Sequence, residues 1–224
     1  MEILIKLKKI FSDNYNSSNS FWMKKYLKNK FEFFGIKAPL RKKLSSDFLK
    51  KKNLPKKENL EKIVKELWNF PEREFQYFVI ELLKKFQNNF EKKDIFILEY
   101  LILNKSWWDT VDAIASNLVG GYFKIHNENL EIIEKWTNSK IFWLNRVSLL
   151  FQLKYKEKTN SDLLFSIALK HSNSDEFFIQ KAIGWALREL SKTKPYLVKN
   201  FVKKNKLKPL SEREALKIIK NFLI

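Results

Sequence analysis

Three short stretches of the sequence place aromatic side chains beside charged ones at helical spacing. In the first, residues 106–112 (SWWDTVD), Trp108 and Asp112 lie four residues apart and therefore share a helix face. An indole and a carboxylate side by side are poorly suited to an apolar core, because burying an unpaired charge is costly. The pair is a candidate for a surface that offers a ligand stacking and negative charge. Trp107 is more typical of a core anchor.

A second stretch, residues 181–188 (KAIGWALR), places Lys181, Trp185 and Arg188 on one helix face at spacings of four and three. Gly184 lies inside this predicted helix, where glycine costs about 1 kcal/mol relative to alanine. Such a glycine indicates that something approaches the helix closely. The sequence leaves open whether that is a ligand or a neighbouring helix.

A third stretch begins at residues 143–146 (WLNR) and continues to Lys154. Arg146 and Lys154 are eight residues apart, two turns along one face, and could follow a phosphate backbone. A solvated basic face is the alternative. His126 and His171 stand alone, and there is no P-loop, Rossmann fingerprint or zinc-deaminase signature. We therefore expect no metal site and no cofactor.

Composition favours a polyanionic partner. The net charge is +19, from 44 basic and 25 acidic residues. Such a field suits nucleic acid first and an anionic membrane surface second. Only five of the basic residues are arginine, and an AT-rich genome would produce the same lysine bias, so the charge alone does not establish nucleic-acid binding. The absence of cysteine excludes disulfides, thiolate metal sites and cysteine nucleophiles.

The elements that must position these residues are predicted to be helices. Four glycines and five prolines leave little turn chemistry, and apolar residues recur at helical spacing. Breaks delimit about a dozen helices in pairs of about 35–40 residues, the period of two-helix HEAT-like repeats. The predicted architecture is all-α: one HEAT-like repeat domain over residues 1–224, in which residues 1–20 form a short helix and a polar loop at 12–20. A compact helical bundle is the alternative.

Two local signals bear on the first stretch. Ser106 and Asp109 are three residues apart and predict a capping box at a helix start. Gly120 and Gly121 predict the end of that helix. The N-terminal residues lack the apolar run of a signal peptide, and no segment has the length of a membrane span. We therefore expect a cytoplasmic protein that is not bound to a membrane. We also expect it to be a monomer.

These stretches closely resemble the AlkD-like family of bacterial alkylpurine DNA glycosylases, which are HEAT-like repeat proteins. The resemblance covers about residues 26–223 and is carried by residues 26–36 (YLKNKFEFFGI), 105–112 (KSWWDTVD), 142–156 (FWLNRVSLLFQLKYK), 176–189 (EFFIQKAIGWALRE), 192–195 (KTKP) and 207–215 (LKPLSEREA). It implies a right-handed superhelical solenoid with a basic groove for duplex DNA. It also implies excision of cationic N3- and N7-alkylated purines by a monofunctional hydrolase that leaves the lesion stacked and needs no cofactor.

The resemblance assigns roles to individual residues. The catalytic carboxylate falls on Asp112, the two indoles that contact the sugar on Trp108 and Trp185, and the phosphate-binding arginine on Arg146. Further DNA-binding positions that line the same groove fall on Tyr26, Lys154 and Arg188. Lys181, which shares a helix face with Arg188, is predicted from its spacing to bind DNA as well. Two rival functions remain: a non-catalytic solenoid that binds DNA or RNA, and a protein-interaction scaffold.

Overall fold

A computed structural model describes residues 2–219, and the regular secondary structure in that range is helical. Apart from one isolated β-bridge between Glu32 and Glu72, these residues contain no extended pairing. The all-α prediction is confirmed. None of the described helices is long and apolar enough to cross a membrane. The predicted domain also includes Met1 and residues 220–224, which lie outside the described range.

The described chain divides into two compact units, with the boundary between Phe86 and Gln87. The single repeat domain and its solenoid geometry stay predictions. The helices of the first unit are α1 (Glu2–Asp13), α2 (Ser17–Tyr26), α3 (Ala38–Ser45), α4 (Lys57–Asn69) and α5 (Arg73–Phe86), with short 3-10 turns at Asp47–Leu49 and Lys51–Asn53.

An aromatic core joins the elements of the first unit. Phe75 of α5 packs against Phe11 of α1 and against Phe34, with ring centroids 5.4 and 5.8 Å apart. The buried Glu74 carboxylate accepts backbone N–H groups from residues 34–36 at 2.9–3.2 Å. These bonds satisfy donors of a segment that has no helical partners of its own and fix it against α5.

The predicted polar loop at residues 12–20 is wrong. Helix α1 extends to Asp13 and α2 begins at Ser17, so only residues 14–16 connect them. The Asn16 side chain accepts the backbone N–H of Asn19 at 2.8 Å and caps α2. Serine and asparagine are common in loops and at helix N-termini alike, because their side chains bond nearby backbone groups. The sequence pattern did not separate the two cases.

The helices of the second unit begin with α6 and end with α14. They are α6 (Asp94–Leu103), α7 (Trp108–Ala113), a π-helical segment (Ile114–Val119), α8 (Gly120–Ile125), α9 (Glu131–Thr137), α10 (Phe142–Leu150), α11 (Ser161–Lys170), α12 (Phe177–Ser191), α13 (Pro195–Lys204) and α14 (Pro209–Ala215), with 3-10 turns at Gln87–Asn89 and Lys156–Lys158. Helix α12 packs against α10, α13 and α14, and α10 also packs against α9. Val147 and Leu187 are fully buried. Helices α10 and α12 therefore form the centre of this unit.

The predicted helix end at Gly120 and Gly121 is also wrong. Helix α7, the π-helical segment and α8 follow one another without a break, and Gly120 has helical dihedral angles (φ −60°, ψ −37°). A Cβ atom at Gly120 would lie 2.4 Å from the carbonyl oxygen of Phe151. The glycine therefore permits a close backbone approach and does not supply a left-handed turn.

The predicted capping box at Ser106 does not form. Helix α7 begins at Trp108, and the residue before it, Trp107, has extended backbone and makes no side-chain cap. The Ser106 hydroxyl donates instead to the carbonyl of Ile102, four residues back. Because the helix still contains Trp108 and Asp112, the predicted spacing between these two side chains is unaffected.

Candidate active site

The centre of the candidate site is an ion pair between Asp112 of α7 and Arg146 of α10. The guanidinium Nε donates to Oδ1 at 2.7 Å and Nη2 donates to Oδ2 at 2.8 Å. The remaining nitrogen, Nη1, donates to the backbone carbonyl of Phe178. Only 5% of the Arg146 side chain and 15% of the Asp112 side chain are exposed. This parallel two-bond contact sets the orientation of the carboxylate more strictly than a single bond would.

Burial raises the pKa of Asp112 above its ordinary value, and the hydrogen bonds and charge of Arg146 offset only part of that effect. An ionised carboxylate in such surroundings is poorly solvated and interacts strongly with a nearby positive charge. Among the described residues, the cation that bonds to the Asp112 carboxylate is the guanidinium of Arg146. Residues 2–219 contain no cluster of three or more histidine or acidic side chains that could hold a metal ion.

A cavity of about 280 Å³ lies beside this ion pair in the second unit. Its walls come from α7, α10, α12 and α14 and consist of Trp108, Arg146, Phe177, Phe178, Lys181, Trp185, Arg188 and Glu214. Five of the residues predicted from the sequence therefore line one cavity. Asp112 lies next to this cavity: it is bonded to Arg146, which lines the cavity, and it follows Trp108, another lining residue, by one helical turn.

An aromatic cluster adjoins the Arg146 side chain through Phe178. Trp107 packs against Trp143 and Phe178, with ring centroids 6.0 and 5.3 Å apart, and Trp143 lies 5.0 Å from Phe178. Trp107 thus has the packing role that the sequence predicted for it. Because the Phe178 carbonyl also accepts from Arg146, the same cluster supports the arginine that orients Asp112.

The cations of α12 are paired with an acidic residue that the sequence reasoning missed. Glu214 of α14 accepts from Lys181 through Oε1 at 3.0 Å and from Arg188 through Oε2. A Cβ atom at Gly184 would lie 2.5 Å from the Cβ of Glu214. Gly184 therefore serves helix packing, one of the two possibilities that the sequence left open. Residue 214 lies within the stretch that carried the family resemblance, but no local spacing links it to α12.

The two other predicted DNA contacts lie outside this cavity. Lys154 is exposed and donates to Asn117 Oδ1 in the π-helical segment, and Asn117 Nδ2 donates to the Ala113 carbonyl at 2.7 Å. Tyr26 belongs to the first unit, where it is 70% exposed and lines a separate cavity of about 440 Å³ with Trp22. The DNA-binding roles of these side chains stay predictions.

Comparison with known proteins identifies the family. A model of DNA alkylation repair enzymes matches residues 7–219. The chain belongs to this family. A solved structure of a "predicted DNA alkylation repair enzyme" from Enterococcus faecalis is 37% identical, with a TM-score of 0.86 over 91% of this chain and 96% of that chain. No curated protein matches. The family resemblance predicted from the sequence is confirmed, and repair of alkylated DNA is the function of the family.

Proposed function

We propose that the protein is a monofunctional alkylpurine DNA glycosylase, which hydrolyses the N-glycosidic bond of cationic N3- and N7-alkylated purines in duplex DNA. The observation that carries the proposal is the Asp112 carboxylate, held by two hydrogen bonds from Arg146 beside a cavity walled by Trp108 and Trp185. Membership of the DNA alkylation repair family supports the substrate class.

Departure of the alkylated purine requires little help from the protein. An alkylated purine already carries a positive charge, so the electron pair of the C1′–N bond leaves with a neutral base and no general acid is required. The sugar becomes an oxocarbenium-like cation. Asp112 stabilises this cation electrostatically, because a fixed carboxylate in a water-poor site is worth far more than one in solvent. A water molecule oriented by Asp112 then forms the bond to C1′ and releases a proton to solvent, completing the hydrolysis.

The two tryptophans stabilise the same cation. Each indole face attracts a neighbouring positive charge by about 0.5–2 kcal/mol. Trp108 and Trp185 come from different helices, α7 and α12, so a sugar in the cavity would contact both. Recognition through the sugar requires no pocket for the base, and we therefore propose that the lesion stays stacked, unlike in glycosylases that extrude their target.

The basic residues would hold the DNA backbone. Three nitrogens of Arg146 are occupied by Asp112 and Phe178, which leaves two of the five guanidinium N–H groups for a phosphate. Lys181, Arg188, Lys154 and the exposed ring of Tyr26 are the further proposed contacts. Such binding should weaken as salt concentration rises, because cations on the protein replace counterions on the phosphates.

The proposal is tested with duplex DNA that carries a single N7-methylguanine. We expect free base to accumulate faster than by spontaneous loss, leaving an intact strand with an abasic site. The variant with both Asp112→Asn and Trp108→Ala should return the rate to the spontaneous one. Tight, salt-sensitive duplex binding without release of either N7-methylguanine or N3-methyladenine would contradict the proposal and favour a non-catalytic nucleic-acid-binding protein. Indifference to DNA would favour a protein-interaction scaffold.

A further inference from the structure

The cavity contains a carboxylate, Glu214, whose negative charge opposes the proposed binding of DNA phosphates. Glu214 is negative and lies between Lys181 and Arg188, where it weakens the attraction of both cations for a phosphate. Only 12% of its side chain is exposed. A surface that served DNA affinity alone would omit this charge. Its presence in a chain with a net charge of +19 therefore calls for a role other than binding.

Glu214 is held in place by a close helix contact. Adding a Cβ atom at Gly184 would bring it within 2.5 Å of the Glu214 Cβ and within 2.9 Å of the Ser211 carbonyl oxygen. The Ser211 hydroxyl also donates to the Gln180 carbonyl at 3.0 Å. Helix α14 thus rests directly on α12, and the backbone position of Glu214 relative to α12 is set by packing.

The two carboxylate oxygens bind cations on either side of Trp185. Lys181 lies four residues before this tryptophan and Arg188 three residues after it, so all three side chains project from one face of α12. Binding both cations to a single residue restricts the rotamers of the side chains that flank the indole. The ammonium group keeps two further donors and the guanidinium keeps four, enough to contact a phosphate as well.

We propose that Glu214 is a positioning residue: it clamps Lys181 and Arg188 so that the Trp185 indole and the two cations are set before DNA arrives. This rests on the proposed function. If these side chains are already in place, they lose less conformational entropy on reaching the transition state. The negative charge that holds them lowers the affinity for DNA in the ground state. A purely structural residue would affect stability, binding and turnover in the same direction. The clamp predicts a loss of turnover without a loss of binding.

The test compares Glu214→Gln with Glu212→Gln, which removes the same charge from an exposed position on the same helix. Under single-turnover conditions with the N7-methylguanine duplex, we expect Glu214→Gln to release base about tenfold more slowly. It should bind the duplex as tightly as the wild type or up to about threefold more tightly, because a negative charge is lost. Glu212→Gln should match the wild type in turnover. Equal turnover in Glu214→Gln, or a parallel loss of binding and turnover, would overturn the clamp.

A readout without catalysis keeps this test separate from that of the proposed function. Subtracting the emission of Trp185→Phe from that of the parent isolates the Trp185 signal, in the wild type and in the Glu214→Gln background. If Glu214 restrains this indole, acrylamide should quench the isolated signal at least about twofold more strongly without Glu214. Unchanged quenching would overturn the clamp even in an active enzyme. A wild type that releases no base would contradict the proposed function alone.

Discussion

Two carboxylates of the second unit, Asp112 and Glu214, are held by arginine in different ways. Solvent reaches a similar small fraction of each, 15% and 12%. For Asp112 burial is the dominant influence and the pKa is raised in spite of Arg146. For Glu214 the hydrogen bond from Lys181 dominates, Arg188 adds to it, and the pKa is lowered. The two pKa values therefore shift in opposite directions because desolvation outweighs the cation at Asp112, whereas the hydrogen bond from Lys181 outweighs desolvation at Glu214.

This difference separates a group suited to chemistry from a group suited to positioning. The charge of Asp112 is only partly compensated, so a developing cation in the cavity can be stabilised by it. The charge of Glu214 is compensated by two cations and has little left to offer a substrate. Substitutions at the two carboxylates and at their partners should therefore affect chemistry and positioning differently.

Asp112→Asn should reduce base release by at least about tenfold while duplex binding survives, because the amide keeps the shape and loses the charge. The rate of free-base formation and the dissociation constant for an undamaged duplex measure the two effects. Asp109→Asn on the same helix is the control and should retain most activity. Equal activity of Asp112→Asn and the wild type would remove Asp112 from the mechanism.

Arg146→Lys should move the acid side of the pH–rate profile to higher pH. Lysine keeps the positive charge but cannot donate the two parallel bonds, and the lost hydrogen bond was the stronger of the two effects of Arg146 that lower the pKa of Asp112. The expected shift is about one pH unit, the equivalent of one charge-assisted hydrogen bond. Arg188→Lys, the same change beside Glu214, should leave the acid side where it was. A shared shift would mean that the two carboxylates titrate together.

Gly184→Ala should destabilise the protein although alanine is the better helix former. The new methyl group would meet the Glu214 Cβ at 2.5 Å, and overpacking of this kind costs about 1–3 kcal/mol. Gly121→Ala is the matched control: its nearest side-chain neighbour, Gln87, is 3.6 Å away, so the gain in helix propensity of about 0.5–1 kcal/mol should prevail. Thermal denaturation should give Tm changes of opposite sign. A stable Gly184→Ala variant would show that α14 can move away from α12.

The smallest predicted effect concerns stability and pH. The folded-state pKa of Asp112 is raised, so its favourable contribution exists below its ordinary value of 3.8 and is lost as pH rises through the raised value. The pKa of Glu214 is lowered, so its contribution exists above 4.5 and is lost as pH falls through the lowered value. The difference in unfolding free energy between Asp112→Asn and the wild type should therefore shift in favour of the variant as pH rises. The corresponding difference for Glu214→Gln should shift in favour of the variant as pH falls. Melts between pH 3.5 and 7 should show differences of about a few degrees. If the stability differences of both variants changed with pH in the same direction, the opposite pKa shifts of Asp112 and Glu214 would be contradicted.

Local spacing predicted which side chains share a helix face. It failed at helix ends, where the same residue types also occur inside helices or in other contacts. Trp108 and Asp112 on one helix, and Lys181, Trp185 and Arg188 on another, follow from the helical period. Ser106 and Gly120 match common signals for helix ends, yet both lie where longer-range packing decides their use. The Gly120 position is set by the Phe151 backbone, 31 residues away, and no pattern around Gly120 records that contact.

By itself the sequence determined the helical class, the family and the residues on each helix face, because helix periodicity and contiguous motifs are local properties of the chain. The tertiary structure alone decided which faces meet. Asp112 finds Arg146 across 34 residues, and Glu214 finds Lys181 across 33. Those pairings depend on how α7, α10, α12 and α14 pack, and packing is a property of the whole unit. The charge state of each carboxylate follows from that packing, since burial and the number of neighbouring cations set its pKa.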